Sequence, residues 1–301
     1  MSAPEHPAIE SRGPHAPAVR PHATKEPAAA GSTAGWDCHV HVFDATLPVP
    51  AGHYQPAHHT LAQIEAQAAA FGIGHLVLVQ PSVYGSDNSL LLQALQQQPG
   101  RHRGVAVLGN DVLSRRAATL QALDDAGVRG ARLNCVSPVG EGGGDVAARF
   151  GGLAPLLVAR GWHLQWYASA AQLPLIAALH AGAAAVTPTC VLDHLAGLHA
   201  RLPTQHPAWT ALQSLADHGA WVKLSGWYRL QATQPYAELL PVVARVAAMF
   251  GPRLVWGSDW PHTSFAPDAM PAYASNWAPA EAALGAARAA QLHEAAAVLY
   301  R

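Results

Sequence analysis

From about Trp36 onward, the hydrophobic positions of this chain fall into two kinds of segment that alternate. Short aliphatic or β-branched runs recur at 36–43, 75–82, 103–108, 130–136, 163–168, 189–196, 221–226 and 254–259. Some, such as Leu76-Val77-Leu78-Val79, are apolar at every position, as parallel strands buried on both faces must be. Between them lie stretches with helical spacing at 61–71, 89–97, 114–126, 146–159, 170–180, 209–218 and 236–250, and a last one at 279–299. Several helical stretches end at a glycine just before the next strand (Gly72, Gly127, Gly161, Gly219), which suits a left-handed C-cap. Eight strand–helix units predict a (β/α)8 TIM barrel over 36–301. A doubly wound sheet would carry a Gly-rich phosphate loop after an early strand. Here Gly140-Glu141-Gly142-Gly143-Gly144 follows the fourth strand and lacks the Lys and Ser/Thr of such a loop, so it reads as a flexible connection. Residues 1–35 are rich in Pro, Ala, His and Gly without hydrophobic period and read as a disordered leader.

Composition narrows the function classes. Charged residues are 12% of the chain, against the usual quarter, and the net charge is −1. No electrostatic footprint for nucleic acid or an anionic membrane surface is present, and no apolar run reaches membrane-spanning length. Cys38, Cys135 and Cys190 are an odd number and each sits in a predicted strand, so they read as reduced apolar residues of a cytoplasmic protein. Histidine is frequent, but His6, His15 and His22 lie in the leader and His53, His58 and His59 in loops, where solvation is the expected role.

The candidate chemistry is at the strand exits, where a barrel carries its active site. Trp36-Asp37-Cys38-His39-Val40-His41 alternates faces, so His39 and His41 point the same way. The second strand ends at Gln80 and Ser82, the fourth at Arg132 and Asn134, the fifth at Gln165 and Tyr167, the sixth at His194, the seventh at Ser225 and then Arg229, and the eighth at Asp259 and then His262. Tyr54 and Tyr84 follow in loops, as substrate contacts or as loop caps. A carboxylate in a barrel mouth must be paired, bind a cation or act as a base, which singles out Asp259. Asp193 and Asp37 alternate to the outer face or the base of the barrel and are expected to satisfy backbone or helix groups. Arg129 precedes its strand and is expected in a surface ion pair.

Taken together, the paired histidines, Val191-Leu192-Asp193-His194, Trp221–Gly226 and Gly257-Ser258-Asp259-Trp260-Pro261-His262 resemble the amidohydrolase superfamily, in its branch of 2-pyrone-4,6-dicarboxylate lactonase and related lactonases. The resemblance runs from Trp36 to the C-terminus and implies the same barrel. It implies a hydrolase that opens a carboxylate-bearing lactone, a small-molecule substrate, with water activated by Asp259. His39, His41 and His194 would polarise the carbonyl, and Arg132 and Arg229 would hold carboxylate, with Tyr54, Ser82, Tyr167 and His262 as further substrate contacts. Three places depart from the branch: Gly197 where an Arg is expected, Val136-Ser137-Pro138 where basic residues are expected, and Thr263-Ser264 in place of Pro-Asn. A site with fewer cations implies fewer substrate carboxylates. The fourth and fifth strand exits lack the ligands of a two-metal centre, and Arg132 opposes a dication, so a cofactor-free site is expected. The alternative is one Zn²⁺ on His39, His41, His194 and Asp259, as in a mononuclear zinc-dependent decarboxylase or amidohydrolase. A barrel that binds without turnover is the rival from another class.

Overall fold

The computed structural model describes residues 34–51, 53–109, 117–137, 145–182, 187–263 and 265–301. Residues 1–33 of the leader, the start of the helical stretch at 114 and the Gly-rich run 140–144 therefore lie outside the described residues. The strands are β1 (Gly35–Val40), β2 (Ile73–Val79), β3 (Arg103–Ala106), β4 (Val128–Asn134), β5 (His163–Tyr167), β6 (Cys190–Leu192), β7 (Trp221–Leu224) and β8 (Leu254–Trp256). They pair in parallel, each with the next in sequence. Trp260 bridges to Val40 in parallel, and the amides of Asp259 and His41 donate to the carbonyls of His39 and Trp260 at 2.8 and 2.9 Å. These bonds bring the last strand back to the first and make the sheet a (β/α)8 barrel.

The helices between them, among the described residues, are α1 (Leu61–Ala69), α2 (Ser89–Gln97), α3 (Ala117–Asp125), α4 (Val146–Val158), α5 (Leu173–Ala181), α6 (Pro207–Asp217) and α7 (Leu240–Phe250). Their starts follow from local chemistry. Thr60 and Gln63 form a reciprocal capping box at α1, and the Asp145 carboxylate accepts from the amides of Ala147 and Ala148 at α4. The last helical stretch divides at Gly285 (φ +77°) into α8 (Ala278–Leu284) and α9 (Ala286–Leu299), where a single helix over 279–299 was the sequence expectation.

Strand alternation separates two apolar layers. Leu76, Leu78, Ala131, Leu133, Leu164, Trp166, Leu192, Val222, Leu224 and Trp256 face the helices in the main core. Cys38, Val77, Val79, Val105 and Val255 form a second cluster, closed by Trp36 and by Ala296 and Tyr300 at the end of the chain. That cluster is the barrel floor. Above it the inward positions turn polar: Arg132, Gln165, Asp193 and Lys223 are all buried. The register of β1 against β2 slips between Asp37 and Val40. Cys38 therefore packs with the floor while the next residue, His39, also reaches an inward partner, Asp193. Gly257 is the complement of that slip, because a Cβ there would stand 2.6 Å from the His39 Cβ.

Two predictions come from this packing. Gly257→Ala is expected to lower stability by about 1–3 kcal/mol, measured by urea unfolding, because the backbone of β1 has no room to yield. The second concerns buried imidazoles outside the barrel mouth. Burial lowers the pKa of His163 to about 3 and of His180, which accepts from the Trp166 indole at 3.1 Å, to about 4. The unfolded chain protonates these groups first, so their contribution is complete above about pH 6.5 and is lost as pH falls toward 4 and 3. Asp37, which burial raises to about 6, acts in the opposite sense and offsets part of this. Stability is expected to fall by on the order of 5 kcal/mol between pH 7 and pH 4, read as a falling Tm.

Candidate active site

The site begins with Asp259, three residues past the end of β8, in a left-handed conformation (φ +61°). Its side chain is fully buried. Oδ2 accepts from Tyr228 OH and from Arg229 Nε, both at 2.7 Å. Oδ1 faces three imidazole nitrogens: Nε2 of His41 at 3.4 Å, of His39 at 3.7 Å and of His194 at 4.0 Å. Burial would raise the pKa of Asp259, but Arg229 and the imidazoles more than offset it and hold the carboxyl well below the usual range. Burial raises the pKa of the Tyr228 phenol, with Asp259 adding to the effect, so Tyr228 stays a neutral donor.

The imidazoles differ in what their other nitrogen touches. His41 Nδ1 lies 2.8 Å from the Val79 carbonyl, so Nδ1 carries a proton. His194 Nδ1 lies 3.0 Å from the Ser225 hydroxyl, which can donate and leave the proton on Nε2. Burial lowers His194 to about 4 against the opposing pull of Asp259 and Asp193, so it is neutral near pH 7. His194 owes its position to backbone strain: it opens a run of left-handed residues, His194, Leu195, Ala196 and Gly197. Gly226 makes room for its ring, since a Cβ there would stand 2.3 Å from His194 Nδ1.

Asp193 corrects the sequence expectation. It satisfies no backbone or helix group; it sits inside the barrel and is fully buried. His39 Nδ1 and Lys223 Nζ approach its Oδ1 at 3.3 and 3.6 Å, while Arg132 Nε and Gln165 Nε2 donate to Oδ2 at 3.1 and 2.9 Å. The reason is that β6 ends at Leu192, so alternation stops there: Asp193 keeps the inward phase of Val191, and the left-handed turn swings His194 inward as well. Burial lowers the pKa of Lys223 and Asp193 raises it; Lys223 also donates to Gln165 Oε1 at 2.6 Å and to the Cys38 carbonyl at 2.9 Å. Asp37, by contrast, takes the outer role expected of it, accepting from the amides of Ser258 and His39 and from Tyr273 OH. Arg129 reaches Asp124 and the Arg301 carbonyl at the surface.

A cavity of about 350 Å³ opens above these groups. His41, Tyr54, Ser82, Arg132, Tyr167, His194 and Arg229 line it, whereas His39 and Asp259 are buried behind that lining. The Tyr167 ring lies between the two guanidiniums, 5.1 Å from Arg132 and 5.9 Å from Arg229. His262 is placed elsewhere: it is buried, with Nε2 3.2 Å from the Asn276 amide and its ring against Tyr228. Tyr84 caps a loop through the Asp44 backbone. His53, Ser137 and Thr263 also line the cavity. Loop residues carry no periodic signal: the sequence marked Ser137 and Thr263 only as departures from the family pattern, and His53 as a solvated loop histidine. Lys223 was legible as a lone cation inside Trp221-Val222-Lys223-Leu224, and Tyr228 only as the neighbour of Arg229.

The donors also satisfy a test for one metal ion. His39, His41 and Asp259 form a buried group with ligand spacing, as do His39, Asp193 and His194. His39 Nε2 and Asp259 Oδ1 are sealed from solvent and have no hydrogen-bond partner among the described residues. Two ligands on a tetrahedral zinc stand about 3.4 Å apart, close to the 3.4 and 3.7 Å that separate Oδ1 from His41 and His39. Arg229 and Arg132 oppose added positive charge there.

Comparison with known proteins gives the family. The 2-pyrone-4,6-dicarboxylate hydrolase of Comamonas testosteroni is 31% identical over 251 residues, which cover 78% of this chain and 79% of that protein. The 4-sulfomuconolactone hydrolase of Rhizobium radiobacter is 31% identical over 248 residues, with the same coverage. A crystal structure from Pseudomonas putida, of a protein assigned as a 2-pyrone-4,6-dicarboxylic acid hydrolase, superposes with a TM-score of 0.76 at 32% identity, covering 89% of this chain and 97% of that one. The amidohydrolase family model matches residues 36–301, the whole of the barrel, and the chain belongs to the amidohydrolase family.

Proposed function

We propose that this amidohydrolase opens the ring of a lactone that carries a carboxylate, with Asp259 as the base that activates water. The observation that carries the reading is the division of labour on one carboxylate. Oδ2 is held by Arg229 and Tyr228, while Oδ1 is left facing three imidazole nitrogens. The hydrolase activities of the two relatives, on a pyrone dicarboxylate and a sulfomuconolactone, support the same substrate class.

Water placed at Oδ1 loses a proton to Asp259 as its oxygen attacks the ring carbonyl carbon. The developing oxyanion receives a hydrogen bond from His194 Nε2, the imidazole nitrogen free to carry a proton. Collapse breaks the ring C–O bond, and the departing oxygen takes the proton from Asp259. A carboxyl held this far below its usual pKa gives that proton up readily. Arg132 and Arg229, with Tyr167 between them, hold the substrate carboxylate at the cavity wall. Tyr54 and Ser82 add neutral contacts, while His262 packs behind Tyr228 and does not line the cavity.

The site favours a single carboxylate. Each lining arginine already spends its Nε on an internal carboxylate, Asp193 or Asp259. A side chain at Gly197 (φ +69°) would meet the Ala168 carbonyl at 2.4 Å, so that corner has no place for another cation. Cys38, Cys135 and Cys190 are all free, which supports action in the cytoplasm. No helix among the described residues is long and apolar enough to cross a membrane.

A second reading rests on the ligand spacing. His39, His41, His194 and Asp259 would hold one Zn²⁺, which would supply a bound water of pKa near 7. The positive neighbours favour the metal-free form. Lactones with one and two carboxylates should be assayed on a sample whose metal content is measured. Turnover of a monocarboxylated lactone by metal-free protein supports the first reading; activity proportional to zinc and lost to chelators supports the second.

Two substitutions test the assigned roles. Asp259→Asn is expected to lower kcat by about 10³-fold with the fold intact. Unchanged turnover would remove Asp259 from the chemistry. Arg132→Met is expected to raise KM for acidic lactones by roughly 10- to 100-fold with little change in kcat, since Lys223 and Gln165 still hold Asp193. Equal loss on neutral and acidic lactones would mean that Arg132 does not bind carboxylate.

A further inference from the structure

Asp193 does no chemistry in the reaction described above, yet it stands at the centre of the polar layer beneath the site. Four side chains from four strands converge on it: His39 from β1, Arg132 from β4, Gln165 from β5 and Lys223 from β7. None of these groups reaches solvent to any useful extent. A carboxylate sealed this way costs free energy unless partner charges and hydrogen bonds offset it. Its two oxygens divide their work. Oδ2 takes the neutral amide of Gln165 and the Nε of Arg132. Oδ1 is left for His39 Nδ1 at 3.3 Å, with Lys223 Nζ at 3.6 Å on the same oxygen.

The consequence falls on His39, whose ring lies between the two buried carboxylates. Both carboxylates accept and neither donates, so the single proton of the neutral ring goes to the nearer one: Nδ1 stands 3.3 Å from Asp193, and Nε2, which is left with the lone pair, stands 3.7 Å from Asp259 Oδ1. We propose that Asp193, held anionic by Lys223, is a positioning residue that fixes His39 with its proton on Nδ1, leaving His194 as the imidazole that donates to the substrate. The same carboxylate holds Arg132 at the cavity wall. It thus links the group that grips the substrate carboxylate to one that shapes the reacting centre. A lactone whose carboxylate engages Arg132 is aligned on the element that orients His39.

Turnover measurements on this point rest on the lactonase reading; the tautomer does not, and it is read without substrate. In protein carrying ¹⁵N-labelled histidine, the His39 ring nitrogens, assigned by their loss in His39→Gln, should show Nδ1 protonated and Nε2 bare. In Asp193→Asn the carboxamide can donate to Nδ1 and reverse the tautomer, so the two ¹⁵N shifts should exchange. kcat should fall about 10- to 100-fold, and KM for an acidic lactone should rise, since Arg132 loses a charged partner. Lys223→Met leaves Arg132 untouched and should lower kcat with a smaller change in KM, a split that general loosening of the barrel would not give. Should Asp193→Asn fail to fold, the spectrum of the unaltered protein decides. A His39 protonated on Nε2 there, or a folded Asp193→Asn with unchanged shifts and unchanged kcat, overturns the proposal.

Discussion

One imidazole between two buried carboxylates organises this molecule. His39 approaches Asp193 with one ring nitrogen and Asp259 with the other, and all three side chains are sealed from water. Two carboxylates in a barrel interior carry a desolvation cost of several kcal/mol each. The compensating charges are placed accordingly: Arg132 and Lys223 on Asp193, Arg229 on Asp259, with neutral donors from Gln165 and Tyr228 on the two Oδ2 atoms. Removing any one partner leaves a buried charge short of its complement. The site is therefore an electrostatic assembly in which each member's charge is felt by the others.

The fold supports that assembly in layers. Apolar side chains fill the barrel floor, and Trp36 and Tyr300 close it. Above them, the polar layer around Asp193 links β1, β4, β5, β6 and β7 through side chains alone. The proposed reacting groups stand on this layer, and His41, His194 and the two arginines line the cavity above it. A rigid base of this kind keeps Nε2 of three imidazoles aimed at a single oxygen without relying on mobile loops.

Backbone irregularity at three strands makes the arrangement possible. The register slip in β1 lets Cys38 and His39 both face inward, and left-handed residues at the exits of β6 and β8 turn His194 and Asp259 into the mouth. Each costs conformational free energy, and each is found where the chemistry is. Glycines at 226 and 257 complete the accommodation by leaving room for His194 and His39.

How much of this the sequence carried follows from which signals are local. The period of hydrophobic residues marked the eight strands and the helices between them, because burial on both faces of a parallel strand is written into every residue of Leu76–Val79. The coincidence of His39, His41, Arg132, Tyr167, His194, Arg229 and Asp259 with strand exits marked one end of the barrel. Strict alternation also supplied the error. It gave Asp193 to backbone or helix groups instead of to the side chains inside the barrel, since a period of two cannot represent a strand that ends at Leu192 and turns left-handed at His194. Lys223 showed as an isolated cation in an apolar run, but its partners come from β1, β5 and β6, distant in sequence. Residue types and their periodicity thus determined the architecture and the chemical inventory. Only the closed barrel decided which carboxylate is open and which is anchored, because that depends on distances between strands that no single segment encodes.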